Sequence, residues 1–304
     1  MKTLILTIDC GSNSNKYLIS LYQKKILKIL NKGSFVHQLK KEENIKKYEE
    51  KMVKFIQNIK KIIKSIISDS KIDQILALAV GTEFYRDNKP STKKITEINE
   101  ECLNDIDTKF KIITQEEESY YSNKAVEFFF SNYVVLDLGG ASTEITVKNE
   151  DNYKKFFYKF GCLSQTNEYK FIQDFINFYS QMKDIELILI GGSFISSLFS
   201  IRKIKNPQKF FYTLKTKQIQ KFYKSIANLE DKELIEKYPP LKDRTESVKK
   251  ALDFLIHLLE ELKKEKVTIS LATLLEGLTI HLLELNKLEL SKIISENKFR
   301  KDIK

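Results

Sequence analysis

Two aspartates at the ends of apolar runs are the places where this sequence offers chemistry. Asp9 closes TLILTID at 3–9 and Asp137 lies in VVLDL at 134–138, and small residues follow each at once. The two segments align residue by residue, Ile8-Asp9-Cys10-Gly11-Ser12-Asn13-Ser14 against Leu136-Asp137-Leu138-Gly139-Gly140-Ala141-Ser142. Glycine and serine let backbone N–H groups converge on an anion, and hydroxyls donate further bonds. A carboxylate beside such a turn repels a bare phosphate, so the arrangement makes sense with a divalent cation between them. One copy alone is equally well a strand closed by a polar turn; two copies in register favour phosphate binding.

Other chemistry-bearing residues surround this repeat. Gly81-Thr82 follow an apolar run and lead to Arg86, which suits bidentate neutralisation of a phosphate or a plain surface position near a turn. Glu116, Glu117 and Glu118 stand together where a helix begins. The helix dipole accounts for one or two of them and leaves one to explain. Glu144 lies seven residues beyond Asp137, and a tight turn over 139–142 would aim it back toward the site. Two carboxylates there can divide the labour, one taking a proton from water and the other holding a metal. His37, His257 and His281 are scattered, the last two beside leucine pairs in helical stretches, which suits packing. No Ser/His/Asp or Cys/His set stands out, and Cys10 reads as a small buried residue rather than a nucleophile.

Positioning these groups takes an α/β framework. The first half reads as strands at 3–9, 16–22 and 25–36, a helix at 42–68, a strand at 73–80, a helix at 90–106, a strand at 110–113 and a helix at 116–130. Between 42 and 68, Ile45, Tyr48, Met52, Phe55, Ile56, Ile59, Ile62, Ile63 and Ile66 recur at helical steps. The order restarts with strands at 134–138, 143–147 and near 154–160, a helix at about 165–182 and a strand at 186–190. A helical insert, a strand at 267–271, a helix at 272–285 and a final helix near 286–304 complete it. The shared order predicts a duplicated fold with a cleft between the copies.

Composition narrows the class. A length of 304 residues with 42% hydrophobic and 31% charged side chains suits two globular domains and excludes a disordered chain. Three cysteines without a CxxC pair indicate neither a disulfide framework nor a zinc site, and fit a reducing cytoplasm. The apolar run after Met1 ends at Asp9, too short for a signal peptide, and no run of 18 apolar residues exists to span a membrane. The net charge of +11 suggests an anionic partner: nucleic acid, a membrane surface or a phosphate-rich substrate. It is concentrated, with thirteen lysines against four glutamates between residues 21 and 64. Nucleic acid is disfavoured, because these lysines lack the interleaved aromatics of a reader motif.

Taken together, IDCGSNSNKYLI (8–19), VGTEFYRDN (80–88), IITQEEES (112–119), VVLDLGGASTEITV (134–147), FGCLSQTNEY (160–169), LIGGS (189–193) and ISLATLLEGLTIHLL (269–283) resemble the exopolyphosphatase/guanosine pentaphosphate phosphohydrolase family. That family lies in the acetate and sugar kinase/Hsp70/actin superfamily. The resemblance implies two ribonuclease-H-like domains, 1–118 and 119–304, with the final helix packing back on the first and the active site in the cleft between them. Long members of that family carry a C-terminal helical HD-type domain, which a chain of 304 residues is expected to lack. The implied reaction is release of terminal phosphate from inorganic polyphosphate or from guanosine pentaphosphate, with Mg²⁺ and Mn²⁺ as its alternative. Carried over by motif, Glu118 is the general base, with Glu144 and Arg86 as its catalytic companions. Asp137, Glu144 and Asp9 hold metal, and Ser12, Asn13, Ser14, Gly139, Gly140, Ser142 and Thr143 bind phosphate. Homodimers are frequent in the family. The sequence departs from the pattern at Ala141, at Gln115, at the shortened Gly191-Gly192-Ser193 loop and at Arg244–Ala251, where Lys250 replaces a frequent proline. These departures keep a catalytically weak polyphosphate- or alarmone-binding protein as an alternative, with a kinase of the same superfamily further behind.

Overall fold

A computed structural model describes residues 1–12, 14–37, 45–86, 89–140, 142–149, 152–164, 172–182, 185–205, 207 and 209–295. The chain divides into two compact units, Met1–Lys124 with Leu274–Lys304, and Ala125–Thr273. Among the described residues no helix is long and apolar enough to cross a membrane.

The first unit is built on a meander, β1 (Lys2–Cys10), β2 (Ser14–Gln23) and β3 (Ile26–Val36). Helix α1 (Ile45–Asp69) then leads to β4 (Gln74–Gly81), a short 3-10 turn (Glu83–Arg86), α2 (Pro90–Asn104), β5 (Lys109–Ile112) and α3 (Gln115–Glu127). β4 lies parallel to β1 on the side opposite β2. β1 is buried along nearly its whole length, as its unbroken apolar run requires of a strand covered on both faces. Alternation sends Leu4, Leu6, Ile8 and Cys10 into a core with Tyr48, Met52, Phe55, Ile56 and Ile59 of α1. Thr7 and Asp9 belong to the other face, where α9 (Leu274–Leu285) packs and the Thr7 hydroxyl donates to the Leu275 carbonyl at 3.2 Å.

The second unit repeats this start with β6 (Tyr133–Leu138), β7 (Thr143–Asn149) and β8 (Asn152–Tyr158), followed by α4 (Gln173–Tyr179) and β9 (Glu186–Ile190), which lies parallel to β6. α5 (Gly192–Arg202), β10 (Phe211–Lys215), α6 (Thr216–Ile226), α7 (Asp231–Lys237), α8 (Thr245–Glu261) and β11 (Lys266–Ser270) complete it. The sheet orders are β12-β3-β2-β1-β4-β5 and β10-β11-β9-β6-β7-β8, where β12 is Lys292–Ser295. Each unit thus holds one six-stranded mixed sheet, the α/β duplication expected from the sequence.

Three features differ from the sequence reading. The segment from Leu274 groups with the first unit, whereas the division at 118/119 leaves the helix at 272–285 in the second. The final helix expected near 286–304 is replaced over 292–295 by β12, an edge strand paired in parallel with β3; residues 296–304 lie outside the described residues. The insert before β11 contains a strand, β10, antiparallel to β11. The expected helix at 165–182 is described only from 172, where α4 follows.

Candidate active site

The two aspartates end their strands in the same hairpin. In the first unit the Gly11 N–H donates to the Ser14 carbonyl at 3.1 Å; in the second the Gly139 N–H donates to the Ser142 carbonyl at 3.0 Å. What stands opposite each aspartate differs. Asp9 pairs across β1 and β2 with Lys16, whose ammonium donates to Asp9 Oδ2 at 2.8 Å. Asp9 Oδ1 is buried and has no hydrogen-bond partner among the described residues. Asp137 pairs across β6 and β7 with Glu144, a second carboxylate.

Around the first hairpin, the Ser12 hydroxyl donates to Glu83 Oε2 at 3.1 Å, which ties the loop to the turn carrying Arg86. Ser14 is buried, and Asn13 lies outside the described residues. The Arg86 Nε–H donates to the Ile113 carbonyl at 2.8 Å, and its Nη2 is paired with Glu118 Oε2. Both partners are half-buried. The three glutamates at the start of α3 therefore separate by role. Glu116 is exposed at the helix end. Glu117 closes a capping box with Thr114, accepting from its N–H at 2.9 Å, while the Glu117 N–H donates to the Thr114 hydroxyl at 3.1 Å. The bond from the Lys111 ammonium and then the Thr114 N–H hold the Glu117 carboxyl below its ordinary value. Glu118, the one the dipole does not need, is the one joined to Arg86.

Around the second hairpin, the Gly139 carbonyl accepts from the Cys162 N–H at 3.0 Å and the Gly140 carbonyl from the Leu163 N–H at 2.8 Å. Carbonyl and N–H point oppositely across a trans peptide, so the Gly140 N–H is turned to the side away from residues 162–163. The Thr143 hydroxyl is buried and donates to the Phe160 carbonyl at 2.6 Å, so it braces this loop. Ser142 is half-buried, and Ala141 lies outside the described residues. Gly191, at φ +140°, lies so near the end of β6 that a Cβ would stand 2.8 Å from the Leu138 carbonyl oxygen. On its neighbour Gly192 rests the Arg244 guanidinium, within 2.6–2.9 Å of where a Cβ would be.

The sequence reading names Arg244 and His37 but gives neither a role in the site. Arg244 lies in the stretch noted for its departure at Lys250, and its contact with the Gly191-Gly192 turn is what singles it out. His37 is buried between Phe35 and Tyr48, and its Nε2 lies 2.9 Å from Asn15 Oδ1, just beyond the first hairpin. Burial, then the charges of Lys51 and Lys16, push its imidazole down to about 3 from an ordinary 6.5. The unfolded chain therefore binds a proton that the folded chain refuses between those values. Stability is unaffected by this group above about pH 6.5 and falls progressively as pH drops toward 3, because the fold resists protonating it. One such proton changes stability by at most about 1.4 kcal/mol per pH unit. Urea midpoints between pH 6.5 and 5 are expected to fall for the wild type and to fall less steeply for His37→Gln, where His281, also pushed down by burial, still contributes a slope. Parallel profiles would refute this.

By sequence, the Ppx/GppA phosphatase family model matches residues 23–189, more than half of the chain. No curated protein matches. Among solved structures, an Aquifex aeolicus PPX-GPPA enzyme superposes with a TM-score of 0.69 at 19% identity, covering 92% of this chain and 100% of that one. An exopolyphosphatase from Cytophaga hutchinsonii gives 0.72 at 17% identity, covering 95% and 99%. These likenesses match the fold of each described unit, and the sequence match runs through Arg86, Glu118, Asp137 and Glu144. The chain belongs to the Ppx/GppA phosphatase family and, as a member, is a phosphate-hydrolysing enzyme.

Proposed function

We propose that the protein releases terminal phosphate from inorganic polyphosphate by attack of water, with Mg²⁺ as cofactor and Mn²⁺ as its substitute. The observation that carries this reading is the Arg86–Glu118 pair, a cation suited to phosphate and a carboxylate suited to water, held together beside a glycine–serine hairpin. Phosphoryl transfer is mostly positioning and charge neutralisation. In the first unit, Arg86 neutralises phosphoryl oxygens and Glu118 takes the proton of the attacking water. In the second, the Gly140 N–H and Arg244 serve as donors to phosphoryl oxygens.

Asp137 and Glu144 fit a divalent cation. Like charges directly opposite on an antiparallel pair repel one another. Mg²⁺ characteristically takes one or two protein carboxylates and completes its shell with water and substrate oxygens. Among the described residues there is no cluster of three or more ligating side chains, which suits that mode better than a dedicated cage. When bound, the ion supplies charge withdrawal from phosphoryl oxygens and a more acidic water. Asp9 offers only one oxygen, because Lys16 holds the other.

The surface favours a polymer over guanosine pentaphosphate. The outer face of α1 exposes Lys46, Lys47, Lys54, Lys61 and Lys64. Reversing Lys46 and Lys47 to Glu is expected to weaken polyphosphate binding several-fold at low salt and to make it less salt-dependent. An unchanged titration would return these lysines to a solvated face. A kinase reading is disfavoured because the Arg244 guanidinium lies on the Gly191-Gly192 turn where a nucleoside would need room.

Phosphate release from long polyphosphate, short polyphosphate and guanosine pentaphosphate in Mg²⁺ tests the proposal. The long polymer is expected to be the best substrate. Release from guanosine pentaphosphate alone moves the activity to the alarmone, and tight binding without turnover in Mg²⁺ or Mn²⁺ makes the chain a binding protein.

A further inference from the structure

We propose that a buried hydrogen-bond circuit, His37–Asn15–Tyr48–Asn99–Tyr85, sets the placement of Arg86 relative to the first hairpin, so that Tyr48 and Tyr85 are positioning residues for phosphate binding. The inference rests on the phosphate-hydrolysis reading of that site.

The pleat decides which face the circuit occupies. Asn15 stands opposite Cys10, on the α1 face of the sheet, whereas Lys16 stands opposite Asp9 on the other. Asn15 is fully buried there. Its amide donates to the Tyr48 hydroxyl at 3.1 Å and toward Met52 Sδ at 3.4 Å, so its Oδ1 is left to accept from His37 Nε2. The Tyr48 hydroxyl donates to Asn99 Oδ1 at 2.6 Å, and the Asn99 amide donates to the Tyr85 hydroxyl at 2.8 Å. The Tyr85 hydroxyl is then free to donate to the Tyr48 oxygen at 3.3 Å. Each hydroxyl has one donor role, and the chain closes in a single direction.

The circuit joins the start of β2, the residue after β3, α1, α2 and the turn that carries Arg86. Tyr85 enters it because β4 ends in glycine: a Cβ on Gly81 would stand 2.8 Å from Tyr85 Cγ and 2.7 Å from Phe110 Cζ. With the Tyr85 ring held inward, Arg86 leaves the turn toward the Ile113 carbonyl and Glu118. The Ser12–Glu83 bond links the same hairpin to the same turn a second time. A buried polar chain adds little net stability over an apolar core, but it admits few arrangements of its members. Orientation of Arg86 is what this chain can supply.

Tyr85→Phe removes one oxygen and keeps the ring. Its expected effect is about a tenfold weaker polyphosphate affinity, read both as KM and as calorimetric Kd, with a smaller change in kcat. Thr7→Val is the control, since it removes a buried hydroxyl on the opposite face of β1 and is expected to leave affinity unchanged. Folded fractions are matched by circular dichroism. In an Arg86→Ala background, Tyr85→Phe is expected to add nothing. Equal affinities for Tyr85→Phe and Thr7→Val, or full additivity with Arg86→Ala, would overturn the circuit alone. A wild-type protein that binds polyphosphate without hydrolysing it leaves the affinity comparison decisive. One that neither binds nor hydrolyses it overturns the reading of the site, and this inference with it.

Discussion

Glu118→Gln is expected to lower phosphate release by about a thousandfold, within the range of roughly 10²–10⁴ that a positioned general base contributes. The amide keeps an oxygen for the Arg86 guanidinium, so the half-buried contact survives while the basic group is lost. Melting temperature and polyphosphate affinity should therefore stay near the wild-type values, and the loss should fall on kcat. Glu117→Gln, one residue earlier, is the matched comparison. It weakens the capping box and the Lys111 bond, which costs about 1 kcal/mol of helix stability, and should leave turnover intact. If Glu118→Gln hydrolyses polyphosphate at the wild-type rate, the assignment of the base is wrong. If Glu117→Gln is the inactive variant, the roles of the two neighbours are exchanged.

Gly277→Ala should be the most damaging small substitution in the first unit. α9 lies so close to α3 that a Cβ at Gly277 would overlap the Tyr121 carbonyl oxygen and stand 2.6 Å from its carbon. The obstacle is backbone, so rotamer changes cannot relieve it. α9 would have to retreat from the cluster of Leu274, Leu278, Val80, Ile113 and Tyr121. It would also strain the pairing of half-buried Lys32 with buried Glu276, whose atoms are 2.8 Å apart, and the Thr7–Thr279 contact at 3.2 Å. Overpacking alone costs about 1–3 kcal/mol, and pulling the buried Glu276 carboxylate away from its ammonium adds to it. Alanine's helix-propensity gain of about 1 kcal/mol does not offset that. The variant is expected to melt at least 10 °C lower or to accumulate insoluble, and a melting temperature equal to the wild type would show that α9 does not pack this way.

The hairpins were legible because the sequence states them twice. Asp9 and Asp137 end apolar strands and precede the same spacing of small residues, and each hairpin closes with the same bond. α1 was equally plain, since Tyr48, Met52, Phe55, Ile56 and Ile59 are all buried at helical spacing. What stayed hidden depends on contacts between distant residues. Lys32 and Glu276 are 244 positions apart, and no local pattern says which sheet α9 covers. β12 has only four residues, Lys-Ile-Ile-Ser, too few for a period to distinguish an edge strand from a helix. His37 and Asn15 carry ordinary polar side chains whose meaning comes from Tyr48, and Tyr48 itself reads as one more apolar position on α1. Among the glutamates, composition cannot tell the capping acid from the one joined to Arg86; the geometry of Thr114 and Arg86 does.

The chain leaves its first unit after Lys124 and comes back to it at Leu274. On a ribosome this inverts the order of completion. The nascent first unit emerges with β3 as an open edge, with Lys32 lacking Glu276 and with the α9 face of β1 uncovered. At about 5–20 residues per second it waits roughly 7–30 seconds while the intervening stretch is made. That stretch, Ala125–Thr273, is continuous and has its own sheet and core, so it is closed before the unit that began first. An unpaired strand edge held open for that time is the kind of surface chaperones bind, and slower translation across the second unit is expected to lower the share of the first that is recovered folded.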